Sequence, residues 1–319
     1  MMPEAILVLT AFAVGYAMKY GGLCTYAAAL QIVRERRVER LLAFLGAAAF
    51  TALVVVPLAW IWPRDLRIST THEYWLLALT GGLMLGIGAW LNRGCVFGTF
   101  VQLTGGDMTY IATLIGMVAG AVGVRATLPH LTPAANLPPP AAQPGGWFIM
   151  AGLVAFITVL ALAVDLRGGK RRPLRFLFIA MVLGIGGGGL FAAVSGWDFA
   201  AVLIRAGYNS WGLVPSGPTM TAVLTTLAMV AGGITAATGN NRFHWRLPRP
   251  RPALASLAGG ALMGAASPLI PGGNDGLLLS GIPALAPHAW VGFLAMLTTM
   301  LAMLVIMPND RGFKIGGKH

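Results

Sequence analysis

"GGLMLGIGAWLNRGCVFGTF", Gly81 to Phe100, is too apolar for a soluble surface and too rich in glycine for a plain membrane helix. It carries Cys95 between Gly94 and Gly98, two residues after Arg93. A second stretch, "GGALMGAASPLIPGGNDG", Gly259 to Gly276, shares its order of Gly-Gly, Met, Gly and then a glycine-containing break. The flanking sequence explains both. Leu41–Trp62, Met108–Leu128, Gly146–Val164 and His288–Met307 are apolar runs close to the roughly 20 residues that a bilayer core requires. The chain is 57% hydrophobic and 10% charged, with a mean hydropathy of +0.75. A soluble domain carries about 25% charged residues. The reading is an all-α polytopic integral membrane protein, one membrane domain over 1–319. No alternation over about 10 residues suggests a β-barrel.

The net charge of +12 would suit a nucleic-acid binder, but its placement argues against one. Most Lys and Arg fall in four short segments just beyond apolar runs: Arg34–Arg40, Arg167–Arg175, Arg242–Arg251 and Arg311–Lys318. That is the bias of cytoplasmic loops. No nucleic-acid motif accompanies them. Placing all four inside gives a multi-pass protein of a bacterial or archaeal cytoplasmic (inner) membrane, with its C-terminus cytoplasmic. Trp60, Trp62, Tyr74, Trp75, Trp147 and Trp290 sit where interfacial anchors belong. By the same rule the first Gly-rich stretch runs inward and the second outward, as in an inverted-repeat helical bundle with interrupted, re-entrant helices. The first repeat is 1–145 and the second 174–308. A connecting helix and loop occupy 146–173, and a cytoplasmic tail 309–319.

Unpaired backbone groups are not tolerated in lipid, so paired helix breaks point to a site near the bilayer midplane. A half-helix beginning near Cys95 would present free N–H groups to an anion. "NRGC" and "FG" are both read as interruptions. The other cysteine, Cys24, lies in "GYAMKYGGLCTYAAAL", Gly15 to Leu30. Gly22 precedes it, and Thr25 and Tyr26 add hydroxyls. In the second half Asn274 and Asp275 occupy the break. Asp275 is either a functional carboxyl inside the membrane or a cap near the outer surface. Lys19, Arg93 and Arg205 lie outside the basic loops; Arg93 could attract a dianion or pair with Asp275. No metal-ligand spacing and no phosphate-binding loop are present, so no metal, cofactor or enzymatic role is expected.

The two cysteine stretches resemble the first-half motifs of the YeeE/YedE family of membrane proteins, which includes thiosulfate transporters. The resemblance implies an hourglass-like fold and uptake of thiosulfate or a related sulfur-containing anion. It implies a narrow central path with weak hydrogen bonds to relay thiols, here Cys24 and Cys95, flanked by Gly22, Gly94 and Gly98. Members with thiosulfate activity typically carry a third cysteine in a Gly-Gly-Cys-Asn context. This chain has "PGGNDG" there, with Asn274 at the cysteine's place and Asp275 after it. The competing reading is a membrane-embedded thiol or persulfide sulfur carrier, or a transporter of another sulfur or selenium species. A soluble cytoplasmic sulfur-accepting protein is the one macromolecular partner this reading admits, beside the lipid bilayer.

Overall fold

The computed structural model describes residues 3–62, 65–67, 69, 75–129, 139–142, 145–148, 151–152, 154–155, 173–194, 197, 199–270 and 273–307. Among them there is no strand; the chain is an all-α polytopic membrane protein. Among the described residues, six helical stretches are long and apolar enough to cross a bilayer: Glu4–Glu35, Glu39–Ile61, Trp75–Leu103, Met108–Thr127, Met220–Gly239 and Pro287–Ile306. Most of the connecting segment and the C-terminal tail lie outside the described residues, as do the Pro63–Glu73 and Pro129–Gly146 loops for the greater part.

In chain order, α1 (Glu4–Gly21) and α2 (Thr25–Glu35) are one interrupted span. The next span, α3, runs over Glu39–Ile61 with a π-helical turn at Thr51–Val55. Then α4 (Trp75–Asn92) and α5 (Val96–Leu103) form a second interrupted span, followed by α6 (Ile111–Thr127). In the second half α7 covers Pro173–Met181, a π-turn Val182–Gly187 and Gly188–Ala193. After it come α8 (Phe199–Ser210), α9 (Met220–Gly239) and α10 (Pro250–Ala266). The short α11 (Gly273–Gly276) leads into a π-turn Leu277–Gly281, and α12 (Pro287–Ile306) completes the set.

The packing obeys a twofold rule. Exchanging α1 with α7, α2 with α8, and so on to α6 with α12 turns one set of contacts into the other. Helix α1 packs on α9 as α7 packs on α3; α4 packs on α12 as α10 packs on α6; α2 meets α12 as α8 meets α6. The pairs α4 with α10 and α5 with α11 map onto themselves, so each straddles the axis. At the α4–α10 crossing a Cβ on Gly88 would meet Gly259 O at 2.7 Å, and one on Gly259 would meet Gly88 O at 2.6 Å. The two backbones touch there. Small residues permit such contact where lipid supplies no hydrophobic drive between helices.

Two expectations are corrected. Phe97–Gly98 is not an interruption; it lies inside α5, whose backbone ladder runs on through it. Arg251 is not in a loop, because Pro250 opens α10 and places Arg251 in its first turn. Proline suits that position, since its missing N–H has no partner to lose at a helix start.

Candidate functional site

The breaks in the first half share one stereochemistry. Gly22 takes a left-handed conformation (φ 59°), its N–H bonds to Lys19 O, and Leu23 N bonds to Met18 O. Arg93 does the same (φ 56°), with Arg93 N to Trp90 O and Gly94 N to Ala89 O. Both are C-terminal caps that satisfy the last carbonyls of one helix and turn the chain sharply. Arginine in this region is strained by about 1–2 kcal/mol relative to glycine. Two residues beyond each left-handed residue comes a cysteine with extended backbone. Cys24 is the N-cap of α2 and Cys95 the N-cap of α5. The half-helix expected after Cys95 is therefore α5.

The two half-helix N-termini meet head to head, and the thiols mark the junction. Cys95 Sγ is 3.7 Å from Cys24 Sγ, and both side chains are buried and unoxidised. Thr25 N donates to Cys95 Sγ at 3.2 Å. The N–H of Gly98 lies near Cys95 Sγ, and those of Cys95, Tyr26 and Ala27 near Cys24 Sγ, close enough to act on the thiols electrostatically. Each thiol thus lies in the field of amides from its own half-helix and from the other. These are the orphan donors of two helix starts, and they make an anion-favouring cradle. Gly98 is required by space, because a Cβ there would collide with Cys24 Sγ. Gly94 is not: its Cβ would meet nothing nearer than Gly98 C at 3.5 Å.

A buried polar cluster outside the expected set holds the second break. Asn92 Nδ2 donates to Gly94 O (2.8 Å) and to Thr99 Oγ1 (2.9 Å), and Thr113 Oγ1 donates to Asn92 Oδ1 (2.6 Å). Thr99 Oγ1 in turn bonds Cys95 O at 3.1 Å. The only sequence signal for this was an asparagine directly before the break.

Cations surround the cradle at a distance. Lys19, 8% exposed, donates from Nζ to Val101 O at 2.6 Å, a carbonyl in the last turn of α5 that also accepts from Thr104 Oγ1 at 3.3 Å. Arg40, assigned from sequence to a basic loop, reaches in instead. Its Nη1 is 3.4 Å from Gly22 O, and the guanidinium lies within electrostatic reach of Cys24. Arg93 is half-buried, within similar reach of Tyr26 and Tyr110. Arg205 is exposed on α8 and ties down Ser216 and Gly217, away from these breaks.

In the second half Asn274 and Asp275 are both buried on α11, which packs against α5. Asn274 Nδ2 is 3.4 Å from Asp275 Oδ1. Gly273 is left-handed (φ 55°) and its N–H bonds to Ile270 O, as at the other two breaks. Counted from that residue, Asp275 stands at the offset that Cys24 and Cys95 occupy. The fourth break, between α7 and α8, brings Trp197 into the same buried cluster as both cysteines; its Nε1 has no hydrogen-bond partner.

A protein family described as sulphur transport matches residues 20–302, nearly the whole of this architecture and every break in it. No curated relative matches the chain.

Proposed function

We propose that this chain, which belongs to the YeeE/YedE sulphur transport family, carries thiosulfate or a related sulfur-containing anion across the membrane past the Cys24–Cys95 pair. The observation that carries the reading is the cradle itself: two thiols 3.7 Å apart where two half-helices present their amides to each other. A thiol is a weak donor and a weak acceptor. Such groups replace part of a sulfur anion's hydration without trapping it, and weak sites in series permit both entry and exit. The free amides supply positive potential without a fixed countercharge.

The twofold packing supports a reading of the two halves, 1–145 and 174–308, as inverted repeats around that path. Solute enters from outside, meets Cys95 and the Asn274–Asp275 turn across the axis, and leaves past Cys24 toward the cytoplasm. Gly98 leaves the room that Cys24 Sγ occupies at the junction; Arg93 and Arg40 raise the local potential, and Lys19 fixes the far end of α5. A small soluble sulfur-accepting protein on the cytoplasmic side fits this direction. Membership of a transport family favours a transporter over an enzyme.

Reconstitution tests the proposal. Proteoliposomes holding the chain should take up sulfur-35-labelled thiosulfate or sulfite above empty vesicles. Cys24→Ala and Cys95→Ala should each lower the rate by about tenfold, the effect of losing roughly one hydrogen-bonding contact. Full activity in the double alanine variant would sink it.

The closeness of the thiols also favours a second reading, a sulfur carrier. A thiolate at Cys95 would attack the outer sulfur of thiosulfate, forming a persulfide S–S bond, while the original S–S bond breaks and sulfite leaves. Mass spectrometry separates the two readings, since only the carrier gains one sulfur atom at Cys95.

A further inference from the structure

Trp197 Nε1, at the break between α7 and α8 and in one buried cluster with both cysteines, and Asn274 Oδ1, on α11, are buried polar atoms at the helix breaks with no hydrogen-bond partner. Their side chains are 2% and 1% exposed. Native proteins keep few such atoms, because leaving a buried group unpaired costs free energy. Two of them at the broken helices of a transporter mark where a ligand's polar groups go.

Their demands differ. The Trp197 indole N–H only donates, so any anion satisfies it and it does not discriminate. The Asn274 oxygen only accepts. Its assignment as the oxygen follows from its surroundings, since the other end of the amide faces Asp275 Oδ1 and an NH₂ group is what a carboxylate binds. An acceptor is satisfied by an O–H or S–H on the solute. Asp275 occupies the thiol offset at its break, beside Asn274. Helix α11 packs on α5, so the turn stands against the element that Cys95 caps.

We infer that Asn274 selects singly charged sulfur anions that still carry a proton, the class of hydrogensulfite and hydrosulfide, over the proton-free dianions thiosulfate and sulfate. The amides around the thiols take the anionic end, and Asn274 takes the proton-bearing end. A site built around a substrate hydrogen discriminates strongly against an analogue without it. The inference rests on the transport reading and narrows its substrate.

The test uses proteoliposomes of the full chain near neutral pH, with labelled sulfite and labelled thiosulfate at equal concentration. Sulfite should enter about tenfold faster, the factor one hydrogen bond is worth. Asn274→Leu should bring the two rates close to equality. Asn274→Asp, which keeps an acceptor, should retain the preference, and Asn274→Cys should raise thiosulfate relative to sulfite. Thiosulfate uptake at or above that of sulfite in the unmodified chain overturns the inference and leaves the transport reading standing. So does an unchanged ratio in Asn274→Leu. Absence of protein-dependent uptake of either anion overturns both. If the leucine variant does not reconstitute, the unmodified chain and Asn274→Asp still decide.

Discussion

Cys95 Sγ stands 3.7 Å from Cys24 Sγ across 71 residues of chain, and each sulfur sits on the N-cap residue of a half-helix. The pair is a junction of two helix starts, and what happens to the thiols is readable in transport.

Mild oxidation should close the pair. A disulfide needs its sulfurs about 2.05 Å apart, so a shift of under about 2 Å suffices. With diamide as oxidant, the two thiols lose two protons and two electrons, and diamide is reduced to the hydrazine. Thiol titration should fall from two groups to none, uptake should stop, and dithiothreitol should restore both. Persistence of two free thiols after diamide in a permeable detergent would count against the geometry.

Gly98→Ala should stop transport where Gly94→Ala does not. The first methyl runs into Cys24 Sγ, whereas the second meets neighbours at ordinary contact distance. Overpacking of this kind costs about 1–3 kcal/mol. Uptake rates and thermal midpoints of the two variants, measured together, check the contrast; equal behaviour would contradict it.

Asn92→Leu should destabilise the protein by about 1–3 kcal/mol, because Gly94 O, Thr99 Oγ1 and Thr113 Oγ1 each lose a buried bond to it. Thr113→Val removes a single bond and should cost less. Thermal denaturation in detergent gives the order.

Lys19→Met should lower stability by about 1 kcal/mol, the value of a cation at a helix C-terminus, and leave the choice between anions unchanged. A changed sulfite-to-thiosulfate ratio would instead show that the ammonium leaves Val101 O to meet the solute.

The spans and three of the four breaks are visible in sequence because they are local. Apolar runs of bilayer length announce helices, and Gly21–Gly22, Arg93–Gly94 and Pro271–Gly273 announce where the chain can turn. The fourth break, after Val194, reads in the sequence only as the edge of a shorter membrane-embedded piece around Ser195–Trp211. The meeting of Cys24 with Cys95 is not local, since it depends on how two half-helices pack after both turns are made. Gly98 shows the limit well. In sequence it reads as a breaker, but in the structure it is a vacancy left for a sulfur from another helix. Arg40 is misleading for a related reason. Its neighbours Arg34, Arg36 and Arg37 are solvent-exposed, yet its own long side chain bends back to Gly22 O. Asn92 and Trp197 give no pattern at all, because a single buried polar residue has no periodicity to betray it.

The loop before α10 fixes something larger. His244 N bonds to Gly105 O, Arg246 N to Gly106 O, and Met108 N to Arg246 O, so this loop of the second half is laced to the turn between α5 and α6 of the first. With the α4 and α10 backbones touching at the axis, the halves are clamped at two levels. A rocking carrier would have to undo both on every cycle. On the proposed transport reading, a frame held at two levels favours small displacements around the sulfurs over rocking of one half against the other.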